Sequence, residues 1–403
     1  MSSPTPAPSP RHRDTAWQVF LIFLRLGLTS FGGPVAHLGY FREEFVTRRR
    51  WLGEQAYADL VALCQFLPGP ASSQVGLALG LGRAGHAGAL GAWAGFTLPS
   101  AVLLVLFALG IASHGDALAP GALHGLKVVA VAVVAQAVWG MARSLCADGP
   151  RAGIMAAAAA AVLLVPQAGM QVAVIGAAAL TGLLLFSAPP PAAHDPLALH
   201  IGRRAALGWL ALFFVLLAGL PLAVDFSDAP ALAQVDAFYR AGSLVFGGGH
   251  VVLPLLQAEV VPSGWVDGDT FLAGYGAAQA VPGPLFTFAA FLGASASVGP
   301  AGWSGAALCL AAVFLPAFLL VFGALPFWER LRRAPRARAA LGGVNAAVVG
   351  LLLAALYDPV WTSAILRPQD FVLALAALLA LTVWKLPPWL VVLASAAGGW
   401  LLA

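Results

Sequence analysis

Two short patterns, each present twice, have the residue types to hold an anion inside a membrane. Phe31-Gly32-Gly33 is followed by Pro68-Gly69-Pro70, and Phe246-Gly247-Gly248 is followed by Pro282-Gly283-Pro284. All four lie in strongly apolar sequence, where a broken helix leaves backbone groups without partners. Proline suits the first turn of a helix, and glycine lets the chain turn just before it. Half-helices are therefore expected to start at Pro34, at Pro70 with Ser72 and Ser73 in its first turn, beside His250, and at Pro284 ahead of Thr287. Each such start exposes free N–H groups and about half a positive charge. Four of them brought together sum to about +2, which suits a doubly charged anion. Proline kinks without a ligand are the bland alternative, and the better one for a single Pro-Gly-Pro. Duplication in register favours the binding site.

Arg25 and Arg240 each stand six residues before a Phe-Gly-Gly, within apolar sequence. Placing arginine in a bilayer costs at least ~2.5–3.5 kcal/mol. An anionic substrate would offset that cost. So would snorkelling, or pairing with Glu43, Glu44 or Glu259. Gln65 and Gln279 precede the two Pro-Gly-Pro breaks. Capping released backbone groups is their favoured role, and donation to an oxyanion the alternative. Lys127 and Asn345 occupy matching places in the two halves, near the starts of long helices, where an interfacial position competes with a binding role. His250 has the chemistry to link transport to protons, though a satisfied core histidine is commoner. Asp59, Glu43, Glu44 and Glu259 are the other candidate proton carriers.

The elements that position these residues follow from composition. Of 403 residues, 60% are hydrophobic and 9% charged, against about 25% charged in soluble domains. Apolar stretches long enough to span a bilayer recur throughout. The expected fold is all-α: a polytopic membrane helix bundle of two homologous, inverted repeats with re-entrant or broken helices. The net charge of +4 resides in short loops, where it sets topology and gives no nucleic-acid surface. Cys64, Cys146 and Cys309 are scattered, so neither a disulfide nor a metal is implied. No Walker A motif, zinc-protease motif or nucleophile elbow occurs, and no cofactor is expected. The chain reads as a non-enzyme.

Four parts are expected: a disordered tail at 1–16, a first repeat at 17–187, a linker at 188–204 and a second repeat at 205–403. Besides the breaks, Arg25-x-Gly27 matches Arg240-x-Gly242 and Trp51 matches Trp265. Gln65 and Gln279 stand at equal distances from their Pro-Gly-Pro. His124-Gly125-Leu126-Lys127 matches Gly342-Gly343-Val344-Asn345. So many landmarks in one order indicate duplication. Loop 42–50 carries four arginines, whereas its partner 258–269 has three acids and no base. Loop 328–338 carries five arginines, whereas its partner 114–121 has no Lys or Arg. Opposite bias in each pair predicts repeats inverted across the membrane. Segment 56–82 must then enter and leave by one face, as a re-entrant hairpin. Segment 17–45 is expected to turn back at Gly32-Gly33 as well.

At these residues the chain resembles the chromate ion transporter family, in its two-domain long form. Arg25-Leu-Gly-Leu-Thr-Ser-Phe-Gly-Gly-Pro and Gln65-Phe-Leu-Pro-Gly-Pro are similar to its amino-terminal signature. Phe246-Gly-Gly-Gly-His and Gln279-Ala-Val-Pro-Gly-Pro are similar to the carboxy-terminal one. The resemblance implies an inner-membrane carrier that exports chromate and confers resistance, driven by the proton motive force. It implies sulfate as competitor or counter-anion, and lipid as surroundings; a homodimer stays open. It maps function onto Arg25, Gly32, Gly33, Pro68, Gly69 and Pro70, and onto Arg240, Gly247, Gly248, Pro282, Gly283 and Pro284. Gly249 replaces Pro34 in the second copy, so the half-sites are expected to bind unequally. An anion channel and a membrane-embedded lipid-phosphate enzyme are the rival readings.

Overall fold

The computed structural model describes residues 14–114, 120–165, 167–187 and 201–402. Most of the expected tail at 1–16 and of the linker at 188–204 lies outside the described residues. The described chain is helical and falls into two series of matching elements.

The first series is α1 (Ala16–Thr29), α2 (Gly33–Arg42, continued by a π-turn at Glu43–Arg48), α3 (Glu54–Phe66), α4 (Ala71–His114), α5 (Pro120–Leu145), α6 (Gly149–Leu164) and α7 (Ala168–Leu185). Then comes α8 (Arg203–Asp225), which has no counterpart. The second series is α9 (Pro230–Leu244), α10 (Val252–Val260), α11 (Gly268–Ala278), α12 (Phe288–Ala294), α13 (Gly302–Ala324), α14 (Trp328–Arg333), α15 (Pro335–Ala355), α16 (Thr362–Ala364), α17 (Pro368–Thr382) and α18 (Pro388–Leu402). Five helical stretches are long and apolar enough to cross a bilayer: 71–113, 120–145, 203–225, 302–327 and 335–364. The chain is an integral membrane protein.

Local chemistry sets the element ends. Thr15 caps α1 by accepting from the Gln18 N–H, and Gln18 reciprocates, a capping box. The helix stops at Ser30, and Gly32 turns the chain left-handed (φ 102°) before Pro34 starts α2. In α4 the backbone leaves helical geometry at Ala84 and Gly85, so 71–83 and 86–114 are separate legs. Asp14 pairs with Arg83 at 2.7 Å, and the Arg83 guanidinium lies 5.0 Å from the Trp51 ring. The start of α1, the loop after α2 and the elbow of α4 thus share one end. Phe23 of α1 meets both Phe41 and Phe45 of the returning segment. The chain therefore turns back twice, from α1 into α2 and from α3 into the first leg of α4, before the second leg of α4 begins.

The two series interlock. The long helix α5 lies against α17 and α18, and α15 lies against α6 and α7. Each long helix thus packs into the terminal hairpin of the other repeat. Small residues permit this: a Cβ on Gly125 would strike the Ser395 carbonyl, and one on Gly343 the Ala178 carbonyl. Such close backbone approach is how membrane helices gain packing energy where lipid removes the hydrophobic drive. Pro99 in α4 and Pro316 in α13 are a further matched pair.

Candidate functional site

The four breaks meet in crossed pairs. Gly69 N–H donates to the Val245 carbonyl at the end of α9 (2.7 Å), and Gly283 N–H donates to the Ser30 carbonyl at the end of α1 (2.9 Å). Each Pro-Gly-Pro is thus tied to the Phe-Gly-Gly break of the other repeat. Both glycines need positive φ, 119° and 93°, a region that side chains disfavour. These bonds also correct the sequence expectation: the Gly69 and Gly283 N–H groups join the repeats and are not free for a substrate.

One small cavity lies where these segments converge. It measures about 80 Å³ and is walled by Gly32, Gly33 and Pro34 of the first repeat with His250, Gln279 and Gly283 of the second. That is room for several waters or one small oxyanion. Gln136 of α5 also lines it. His250 Nδ1 is bonded to the Tyr275 hydroxyl at 2.8 Å, which leaves Nε2 as the ring nitrogen available to a ligand. Gln279 Nε2 is buried without a hydrogen-bond partner, a costly state unless something occupies the cavity. The first turn of α2 supplies unpaired N–H groups at Gly33. No Asp, Glu, Lys or Arg lines this wall.

The remaining expected site residues sit elsewhere. Arg25 is exposed on α1 and does not line the cavity. Arg240 is paired with Asp236 at 2.6 Å and Glu259 at 3.3 Å, so the pairing alternative is the one realised. Lys127 pairs with Asp269 at 2.9 Å and lines a separate cavity of about 450 Å³ with His124 and Arg367. Asn345 is half-buried, with its Oδ1 unbonded. Gln65 is exposed; the capping role belongs instead to Gln74, whose Nε2 donates to the Pro68 carbonyl at 2.7 Å. The Thr287 hydroxyl is spent on the Pro284 carbonyl. Pro68, Pro70, Pro282 and Pro284 shape the breaks. Gly247 and Gly248 lie against Met141. Ser72 and Ser73 are buried behind the cavity wall, with Ser72 near His37.

Sequence reasoning missed Gln136, Gln74 and His37. Gln136 had a visible signal, being the sole amide in the 26 residues of α5. Gln74 and His37 had none, because neither has a polar partner in the other repeat.

Two inter-repeat ion pairs flank the site. Asp59 accepts from Arg332 at 3.0 Å and from the Trp328 indole at 2.9 Å, tying α3 to α14. At the other end, Lys127–Asp269 ties α5 to α11. Glu44, outside the spans, is pushed up by partial burial, but Arg49 and Arg48 together outweigh this and hold it below the ordinary value of 4.5.

Comparison with known proteins agrees with this architecture. The family model described as Chromate transporter matches twice, over residues 17–183 and 232–400. A chromate transport protein of Pseudomonas aeruginosa is 31% identical over 398 residues, covering 96% of this chain and 92% of that protein. Another of that name, from Cupriavidus metallidurans, is 27% identical, covering 85% and 82%. An uncharacterized transporter of Bacillus subtilis is 32% identical over 163 residues, covering 40% of this chain but 89% of its own length. No solved structure matches. Two family matches placed on two interlocked series of helices leave one conclusion, that this chain belongs to the chromate transporter family in its duplicated form.

Proposed function

We propose that this protein is a secondary carrier that exports chromate, or a related tetrahedral oxyanion such as sulfate, across the bacterial inner membrane. The observation that carries this reading is a polar cavity walled by breaks of both repeats. The names of the relatives supply the substrate class. Within the cavity, His250, Gln136, Gln279 and the Gly33 N–H would hold the dianion, and the α2 dipole would add positive potential. Neutral donors in a low-dielectric site can bind a dianion and still release it, because no buried ion pair must be broken.

The repeats are read as inverted. After its two hairpins the first repeat crosses by the second leg of α4, then by α5, α6 and α7, and α8 adds one more crossing. The second repeat then starts from the opposite face. The Arg332–Asp59 pair supports this, since it places the end of α13 beside the start of α3. So does Lys127–Asp269, which places the start of α11 beside the start of α5. The end that carries loops 42–50 and 328–338 is cytoplasmic by its arginines. Alternating access would rock one repeat against the other about the cavity. An inside-negative potential favours dianion export by about 4.6 kcal/mol per 100 mV for two charges, so the electrical part of the proton motive force suffices as drive. Exchange for a counter-anion is the other coupling.

The test is flux in proteoliposomes loaded with sulfate or chromate. A carrier gives saturable flux and counterflow by external anion. Sustained unitary currents, or no flux of either anion, would refute the reading.

A further inference from the structure

Behind the cavity wall, on the first repeat's side, lies a polar patch that the oxyanion site does not use. Ser30, His37, Ser72, Ser73, Gln74 and Thr97 are each at most 3% exposed. His37 Nδ1 is 3.4 Å from Ser72 Oγ, and its ring faces the Ser30 backbone and stands edge-on to Phe96 at 5.1 Å. The Ser30 carbonyl takes the Gly283 N–H, and Gly283 lines the cavity. One peptide therefore separates the patch from the site.

The matching positions of the second repeat are almost entirely apolar. In register, these six positions become Val245, Val252, Phe286, Thr287, Phe288 and Phe314, and the one hydroxyl among them is locally bonded. In the first repeat, Ser30 Oγ, His37 Nε2, Ser73 Oγ, Gln74 Oε1 and Thr97 Oγ1 are buried without a well-formed hydrogen bond. So many unsatisfied atoms within apolar packing call for a guest.

His37 is the titratable member of the patch. From α3, the Tyr57 hydroxyl bonds the carbonyl of the neighbouring Leu38. From α4 come Ser72 and Phe96, which carry no charge. From the second repeat comes the Gly283 peptide, with His250 beyond it held by Tyr275. On the segment of His37 itself, Arg42 pairs with Glu54, and Glu44 with Arg48 and Arg49. Among the described residues no carboxylate faces the ring. An imidazolium there lacks an offsetting charge until an anion arrives next door.

We propose that His37 is a proton-binding site that fills together with the oxyanion cavity, so that one proton travels with each dianion. This rests on the reading of the cavity as an oxyanion site. By linkage, each ligand tightens the other by the same factor. Over the pH interval between titration of the empty and loaded protein, sulfate Kd falls about tenfold per unit of acidification. The load then moves with one net negative charge and uses half of the electrical drive.

The test is calorimetric titration of the whole detergent-purified protein with sulfate, which does not itself titrate between about pH 5 and 8. Buffers of different ionisation enthalpy count the protons. Wild type is expected to take up one proton per sulfate, with Kd falling as pH falls. His37→Gln is expected to bind sulfate with a flat pH profile and no uptake. Equal uptake in wild type and His37→Gln, or no uptake by wild type, overturns the inference while the cavity reading stands. Absence of uptake by wild type overturns the inference even if His37→Gln does not fold. A wild type that binds neither sulfate nor chromate refutes the cavity reading, and this inference falls with it.

Discussion

Gly283→Ala is the substitution whose consequence can be worked furthest. Gly283 has φ 93°, and a side chain in left-handed backbone costs about 1–2 kcal/mol. The new Cβ would lie 2.9 Å from the Phe96 carbonyl oxygen and 2.9 Å from Ser100 Oγ. The serine can rotate away, but the carbonyl is main chain and cannot. Relief must come from moving residues 282–284, which weakens the Gly283–Ser30 bond, worth about 1 kcal/mol. Together these reach about 2–3 kcal/mol, at 1.4 kcal/mol per decade. If a misassembled site lies close in energy, the working population falls by up to roughly 100-fold. The assay is initial oxyanion flux in proteoliposomes, normalised to reconstituted protein, with thermal unfolding in detergent measured alongside. Gly264→Ala is the control: its φ is 71°, but nothing lies within 4 Å of the added Cβ. It should unfold slightly earlier and transport within about twofold of wild type. A Gly283→Ala protein with normal flux, or a Gly264→Ala protein damaged as badly, would refute the claim that the crossed breaks build the site.

Other expectations follow from the same geometry. Asp59→Asn removes the charge that Arg332 and Trp328 share and should cost about 3 kcal/mol, read as a lower unfolding temperature. Exchanging the charges as Asp59→Arg with Arg332→Asp should recover part of it, and no recovery would argue against a direct pair. Gln279→Ala should weaken sulfate or chromate binding by about tenfold, the worth of one hydrogen bond to a charged group. Arg25→Gln should leave affinity nearly unchanged, and a larger loss from Arg25→Gln than from Gln279→Ala would return the arginine to the site. Glu44 is held below 4.5 in the folded protein, so its contribution is present above that value and is lost as pH falls through its lowered value. Proteolysis within 42–50 should therefore speed up on acidification below pH 4.5 in wild type but not in Glu44→Gln; equal acid sensitivity would remove the arginine clamp from the account.

The sequence carried most of the architecture, because breakers in lipid leave a strong signal. Pro70 and Gly32 fixed where half-helices start, and the folded chain starts them there. The matched landmarks paired α3 with α11 and α5 with α15. What stayed hidden was contact between repeats. Nothing in the sequence says that Gly69 N–H reaches Val245 or that Gly283 N–H reaches Ser30, so these donors looked free. Arg25 and Arg240 appeared equivalent because spacing treats them alike. Yet Asp236 and Glu259 surround Arg240, whereas Arg25 is exposed. Symmetry also misdirected attention: His37 and Gln74 were passed over because their counterparts are Val252 and Phe288. Departure from the repeat, more than agreement with it, marks the residues that make one half different.

The most direct test is a density map of the protein loaded with chromate. The ion should sit in the cavity between Gly33 and Gln279, within hydrogen-bond reach of His250, with the two Phe-Gly-Gly breaks on either side of it. An ion bound at Arg25, or breaks that stand apart and face lipid, would contradict the account.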